Sequence, residues 1–471
     1  MRRLVRCLAV KDARMCSSID SREVQFSSAT SVEKSPRLAA NEAFDLAAAA
    51  LTKAPNLCWF FISMENSRMH DAPEVLWRAL RKANGVPAGA RPTNVALLGS
   101  AVTQQKFNDG YIQVLLAAIP DLEVQPFTFD ELPTATPQDT KRAFVCSAML
   151  DGKLTVSHLP LVTQSVRQLS ATFSPMGVPV VGGVLSQAAR FDTGLADAIA
   201  RKRMQVSELS ESLSFINDNV YRGSAAGVVL RSNLVASKCL SHQPSINLLS
   251  TTIHSSRLDT EVVIISAVAA GRPTDIVRRL YETDLQGKLD SKIFVGVKHR
   301  ETGAVVPLGF RGDPETGALT VYLPCDSLCL SPGDELHFVC DDVELDIEAI
   351  ASRLLHFEKE VKDFTKELKP ITIEREGKRD VLVSSQACVH FSQFNYNQVA
   401  RPNESTLDLS GTPMKFAPPI ATRCLGQNVV TAGMFCPGQV CPFTETVEGQ
   451  SYAGSHITSR SSAHLMLRGL K

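Results

Sequence analysis

Few residues in this chain are spaced for chemistry. Arg311 stands alone between two strand-like runs, in Phe310-Arg311-Gly312-Asp313-Pro314. A planar guanidinium at such a turn suits a carboxylate or phosphate. An ion pair with Asp313 is the equally weighted structural reading. His242 lies close to Cys239, which is in principle a Cys/His nucleophile pair, although a core or loop histidine outweighs it. Gly182-Gly183 follows a strand-like run without the remaining glycines of a dinucleotide fingerprint, so close packing is the plainer reading. Gln439 and His456 are polar groups near glycines at the C-terminal end. With Arg311, and with His242 from the first half, they are the candidate lining of a small-molecule cleft. There is no phosphate loop, nucleophile elbow or His-Glu-x-x-His. The reading is therefore a protein that is not an enzyme and needs no cofactor. A cysteine hydrolase or transferase has no motif behind it.

The twelve cysteines form no framework. Cys325/Cys329 and Cys436/Cys441 are the closest pairs, and neither has a second pair at zinc spacing. No metal is expected, and buried thiols in a reduced compartment are the reading. The 471 residues suffice for two or three domains. Lys+Arg and Asp+Glu both number 49, giving a formal net charge of zero. That balance argues against a dedicated nucleic-acid or anionic-membrane binder. The longest apolar runs, Leu57–Ile62 and Val262–Ala270, are too short to span a bilayer. In the first nineteen residues Arg2, Arg3, Arg6, Lys11 and Arg14 face only Asp12. This amphipathic, Arg-rich, acid-poor pattern predicts a mitochondrial presequence within a leader over 1–35. The other reading is a plain leader ahead of a start at Met15, on a cytoplasmic protein.

The elements begin at Ser35-Pro36, an N-cap followed by a first-turn proline, with Phe44, Ala47, Ala48 and Leu51 on one helical face. Leu57–Ile62 reads as a strand. Pro73 opens a second helix that Asn84-Gly85 closes, and Val95–Leu98 is another strand. Asp151-Gly152 predicts a hairpin between Phe144–Leu150 and Leu154–His158. A second hairpin is predicted from Ala225–Leu230 and Leu234–Leu240. Val262–Ala270 suits strand or helix, and Thr274–Glu282 is helical. Ile293–Lys298, Ala304–Leu308, Ala318–Leu323 and Leu336–Cys340 read as strands. Ile347, Ile350, Leu354, Phe357, Val361, Phe364 and Leu368 predict one amphipathic helix over 345–369, ended by Pro370 and lying across a sheet. A long loop covers 398–420. Hairpins among helices predict an α+β fold: two consecutive α+β halves with largely antiparallel sheets flanked by helices.

Four segments resemble the FIST family. Gly223-Ser224-Ala225-Ala226-Gly227-Val228-Val229-Leu230 is similar to its mid-chain strand pair, and Ser241-His242-Gln243-Pro244 stands where its turn should follow. There His242 replaces the usual Cys and Gln243 the basic residue. Phe310-Arg311-Gly312-Asp313 with Pro332-Gly333-Asp334 resembles its strand-turn-strand. Gly433-Met434-Phe435-Cys436-Pro437-Gly438-Gln439-Val440-Cys441-Pro442, then His456-Ile457-Thr458, resembles its closing motif, with Gln439 in place of a carboxylate. The resemblance runs in order over 36–471. It implies a FIST N-terminal half at 36–260 and a C-terminal half at 261–471. It also implies a non-enzymatic signal-transduction sensor of a small molecule, such as an amino acid or other carboxylate. The alternative it implies is a protein partner role: the eukaryotic F-box/FIST proteins recruit substrates for ubiquitin-dependent degradation. The leader is too short and polar to supply the F-box that this role requires.

Overall fold

The computed structural model describes residues 23–63 (without 32 and 34), 71–102 (without 88), 111–151 (without 137–138), 159–185, 212–242 (without 222–223), 246–283 (without 260–261), 293–300 (without 299), 305–323, 328, 330–340, 359–364, 371–373, 381–392, 429–443 (without 437), 453–458 and 462–470. The leader before residue 23, the Cys325/Cys329 pair, the 398–420 loop and most of the predicted 345–369 helix lie outside the described residues.

The N-terminal part runs β1 (Gln25–Ser31), α1 (Pro36–Ala50), β2 (Leu57–Ser63), α2 (Asp71–Ala83), β3 (Ala96–Val102), β4 (Tyr111–Ala118), β5 (Glu123–Thr128), the one-turn α3 (Asp139–Arg142), β6 (Ala143–Leu150), α4 (Leu159–Phe173), β7 (Val180–Val184), β8 (Ser212–Ile216), β9 (Asn219–Tyr221), β10 (Ala225–Arg231) and β11 (Val235–His242). A middle unit follows with β12 (Ile246–Asp259), β13 (Val262–Val268), α5 (Pro273–Thr283), β14 (Ile293–Lys298), β15 (Val305–Leu308), β16 (Phe310–Gly312), β17 (Leu319–Tyr322) and β18 (Glu335–Cys340). The C-terminal part supplies β19 (Ile371–Ile373), β20 (Val381–Ser384), β21 (Gln386–Ser392), β22 (Val430–Phe435), β23 (Gly438–Phe443), β24 (Ala453–Thr458) and β25 (Ser462–Gly469).

Three sheets form the body. Their orders are β19-β20-β1-β4-β2-β3-β8-β9, β24-β23-β7-β6-β10-β5 and β11-β25-β21-β22. Leu57, Trp59 and Phe61 of the first sheet, Val145, Val181 and Val228 of the second, and Val389, Leu465 and Ala432 of the third share one core. The outer face of the first sheet is covered by α1 and α2, and that of the second by α4. Small residues explain how closely α1 lies: Ala39, Ala40, Ala43 and Ala47 are all buried against the sheet. Ser35 takes the extended N-cap geometry, but its side chain makes no cap bond. In α2 acids occupy the first turn and Arg81 and Lys82 the last, matching the helix dipole. Gly85 then takes a left-handed φ of 63° to end it.

The middle unit is separate in topology. Its sheet, β15-β14-β18-β12-β13-β17-β16, uses no strand from elsewhere. The two outermost strands, β15 and β16, are neighbours in the chain across Gly309, so the sheet curls into a nearly closed barrel. Register shifts in β12 at Asn247/Leu249 and around Ser255 bend the wall. Ile276 and Leu280 of α5 pack into the barrel core.

Several expectations are corrected. The fold is not α+β halves flanked by helices: about 52% of the described structure is strand and 24% helix, in several sheets with a nearly closed barrel. The sheets are also built across the expected divide at 260. β20 pairs with β1, β23 with β7 and β25 with β11. Order begins before Ser35-Pro36, since β1 pairs with β4 along seven positions from Gln25↔Ala118 to Ser31↔Ile112. The second strand of the predicted Asp151-Gly152 hairpin, Leu154–His158, lies outside the described residues, and both edges of β6 are paired, with β10 and with β7. β10 and β11 do not form a hairpin; they lie in different sheets. The chain is turned there by Arg231, which pairs with buried Asp139, and by Asp121, which accepts from Asn233 N at 2.7 Å. Val262–Val268, where the sequence left strand and helix open, is a strand.

Candidate functional site

Buried polar side chains gather at one end of the body core. In the first sheet Gln113, Phe61, Ser100 and Ser214 stand in register across β4, β2, β3 and β8. In the second, Ala226, Met149, Gly183 and Gln439 stand in register across β10, β6, β7 and β23. Ser147 pairs with Val228 and Val181 two residues earlier. Each polar member, Ser100, Gln113, Ser147, Ser214 and Gln439, is buried. Strands β2, β3, β6, β7 and β21 all finish at this end.

Contacts between sheets hold the end together. Phe61 and Phe391 meet edge to face with centroids 6.0 Å apart. Ser100 Oγ lies 2.9 Å from Met434 Sδ and donates to it. Gln113 Nε2 donates to Thr431 O at 3.3 Å, and Gln113 Oε1 accepts from Gly433 N at 3.1 Å. Gln439 Nε2 donates to Cys436 O at 3.0 Å. Between the first and second sheets lies a partly open cleft lined by Gly99, Ser147, Met149, Ser214, Ile216 and Gly227. It is narrow, with room for a group about the size of one water. Its lining carries two hydroxyls and no charge among the described residues.

The predicted residues fall into separate places. Gly182 and Gly183 sit on β7 opposite Val440 and Gln439, so these two glycines and Gln439 do come together. A Cβ on Gly182 would lie 1.6 Å from the Ala148 carbonyl oxygen, which makes it a packing glycine. One on Gly183 would lie 3.1 Å from Cys436 Sγ. His456 is on β24, opposite Cys441 and two positions before Thr458, the partner of Gln439. His242 ends β11 opposite Ser462. The side chains of both histidines lie outside the described residues. Arg311 is elsewhere: it is exposed, on β16 of the barrel, opposite Thr320. Asp313 is engaged by its own turn, accepting from Glu315 N at 3.0 Å and from Thr316 Oγ1. Those hydrogen bonds, with Arg311 as the smallest contributor, hold its carboxyl below the usual range.

Burial works against thiolate formation here. Burial pushes Cys239 far up, with Cys441 and Cys388 adding to it, and pushes Cys441 up to about 12. A thiolate at Cys239 beside His242 therefore has no support. Among the described residues no three His, Cys, Asp or Glu side chains gather as metal ligands, and no helix is long and apolar enough to cross a membrane. Ser100, Gln113, Ser147 and Ser214 were not legible as site residues. Each is a lone polar residue in an apolar strand, and only pairing reveals that they share one end.

No protein-family pattern matches the chain, and no curated protein matches it. Two solved structures are similar over 95% of this chain and 100% of theirs. One is a cyanuric acid hydrolase described as an evolutionary innovation by structural concatenation, at 9% identity and a TM-score of 0.25. The other is the cyanuric acid hydrolase of A. caulinodans, at 10% identity and a TM-score of 0.24. Likeness at that level carries no argument about this chain.

Proposed function

We propose that this protein is a FIST-type sensor that binds a small, uncharged polar molecule at the end of the body where Ser100, Ser147, Ser214, Gln113 and Gln439 converge. One observation supports the reading: five buried, uncharged hydrogen-bonding side chains stand in register near the ends of five strands, and two of them, Ser147 and Ser214, line the cleft beside Gly99 and Gly227. Ligands of open parallel α/β sheets favour the carboxyl ends of strands, and β2/β3 and β6/β7 are parallel pairs that finish here; good sites are apolar with a few placed polar groups. Among the described residues the cleft carries no charge, which favours an uncharged ligand. An amino acid or other carboxylate would call for a cation, and Arg311 belongs to the barrel instead. The narrow cleft means that ligand entry moves side chains such as Met149 or Ile216 aside.

The test is native mass spectrometry of the purified full chain, with a thermal-shift panel of neutral and anionic metabolites. A neutral compound that is retained and raises the melting temperature supports the reading. A response confined to anions overturns it. The mitochondrial leader is part of the same proposal. N-terminal sequencing of organellar protein checks it, and chains that keep Met1 would exclude cleavage.

The adaptor role is favoured by one feature, the exposed barrel wall. Leu258 is 67% exposed there, in register with buried Val263. Binding of purified chain to a ubiquitin-ligase scaffold, lost on Leu258→Asp, is its measurement.

A further inference from the structure

A second polar cluster lies on the barrel, apart from the body core. Ser250 on β12 and His337 on β18 stand opposite each other in register. They are 87 residues apart in sequence, yet Ser250 Oγ lies 2.8 Å from His337 Nδ1. Asn247 Nδ2 donates to the same Ser250 oxygen at 2.8 Å. That donation leaves the hydroxyl proton for the imidazole. Two residues before His337 on the same strand, Glu335 places Oε2 at 3.7 Å from His337 Nε2. Lys298 of β14 pairs with Glu335 in turn.

The protonation states follow. Glu335 is held below the usual carboxylate range, first by the Lys298 hydrogen bond, so it is ionised. A carboxylate facing Nε2 favours the tautomer with the proton on Nε2 and leaves Nδ1 to accept. Burial lowers His337 below its ordinary value; Glu335 opposes this and Lys298 adds to it. The ring is therefore neutral near pH 7 and free to take a proton. Ser250 is exposed while His337 is buried. An accessible hydroxyl thus rests on a buried imidazole whose Nε2 faces Glu335 without a hydrogen bond.

We propose that Ser250 is an acyl-accepting nucleophile for small esters, with His337 as its general base, Asn247 as donor to the developing oxyanion and Glu335 as a positioning residue. The roles match those of a hydrolase triad, with the two imidazole nitrogens exchanged. Ser250 Oγ bonds to the ester carbonyl carbon as its proton passes to His337 Nδ1. The carbonyl oxygen becomes an oxyanion, toward which Asn247 Nδ2–H turns. Collapse breaks the bond to the alkoxy group, which leaves as the alcohol with the proton from His337. Water then attacks the acyl-serine by the same route, releasing the acid and restoring Ser250. The sum is ester plus water to acid plus alcohol, with no other reactant.

The experiment uses the full chain and p-nitrophenyl acetate, with peptide mapping of the acetylated residue and release of nitrophenolate read across pH. Acetyl on Ser250 is expected, at a rate that rises with pH through the His337 titration and then levels. His337→Gln should slow acylation by at least about a hundredfold. Glu335→Gln should slow it and move the pH midpoint down, because Glu335 raises the His337 pKa. Asn247→Ala should slow it without moving the midpoint. Failure to acetylate Ser250 in the unaltered chain overturns the proposal. So does labelling of other exposed serines at the same rate. If His337→Gln does not fold, the unaltered chain still decides: a profile that shows no His titration overturns it.

Discussion

Gln113 Oε1 accepts the backbone N–H of Gly433 at 3.1 Å, while its Nε2 reaches Thr431 O at 3.3 Å. A side-chain amide of β4 thus does for β22 what a neighbouring strand would do. β22 is an edge strand of the third sheet, and its unpaired backbone groups face the core instead of water. Gln113→Leu should leave both groups unsatisfied and cost about 1–3 kcal/mol each at most, with a lowered melting temperature. A melting temperature equal to that of the unaltered chain would mean that water replaces the amide.

Gly182 and Gly309 form a contrasting pair. A Cβ at Gly182 collides with backbone at 1.6 Å, whereas one at Gly309 meets nothing within 4 Å. Gly182→Ala should therefore destabilise by roughly 3 kcal/mol or more, and Gly309→Ala should stay within about 1 kcal/mol of the unaltered chain. Denaturant unfolding reads both.

Residues 359–364 are helical, with Val361 fully buried and Lys359 exposed. This turn is tied to the third sheet by the Lys238–Glu360 pair and by Arg468, which donates to Phe364 O at 3.2 Å. Val361→Asp should cost about 3 kcal/mol or more, and Lys359→Ala less than about 0.5 kcal/mol. Similar melting temperatures for the two variants would reverse the assignment of faces.

Asp139 gives a pH-dependent expectation. Burial raises its pKa, but hydrogen bonds from Arg231 and Thr136, with the Arg231 charge, outweigh this and hold the carboxyl below its usual value. Its contribution is thus present above the ordinary carboxylate pKa of about 4 and lost as pH falls through the lower folded value. Arg231→Met leaves the charge buried without its partner, at a cost of roughly 3–5 kcal/mol near neutral pH. In that variant mild acid should narrow the deficit relative to the unaltered chain. A deficit independent of pH would show that Asp139 does not carry it.

Ser147→Val and Ser214→Val test the body site. Each removes a hydroxyl from the cleft wall without removing a charge. With a ligand in hand from native mass spectrometry, each should weaken binding by at least about tenfold, or 1.4 kcal/mol. Unchanged affinity in both would place the ligand elsewhere.

Local features were well signalled in the sequence, and long-range ones were not. Helix Thr274–Glu282 and the strands at 293–298 and 336–340 emerge almost where periodicity places them. Gly85 does end α2 with a left-handed φ. Asp151-Gly152 is a strong turn dipeptide whose second strand lies outside the described residues, and such a dipeptide says nothing about occupied sheet edges. Its strand β6 pairs in parallel with β7 after a helical crossover. The third sheet could not be inferred, since β11 and β25 share no local signal. The same holds for the Ser250–His337 pair, which exists only through the β12–β18 register.

Strand β23 has one consequence for the life of the chain. It fills the edge of β7 and supports β24, yet it follows the whole barrel in chain order. On the ribosome the barrel is fully synthesised by residue 340, with every strand it needs. The body is not. Until the last strands emerge, β1, β7 and β11 expose edges that can pair with other nascent chains. A nonsense codon shortly before β23 would therefore yield a product with a sound barrel and an adhesive body, a form for chaperones to hold or proteases to clear.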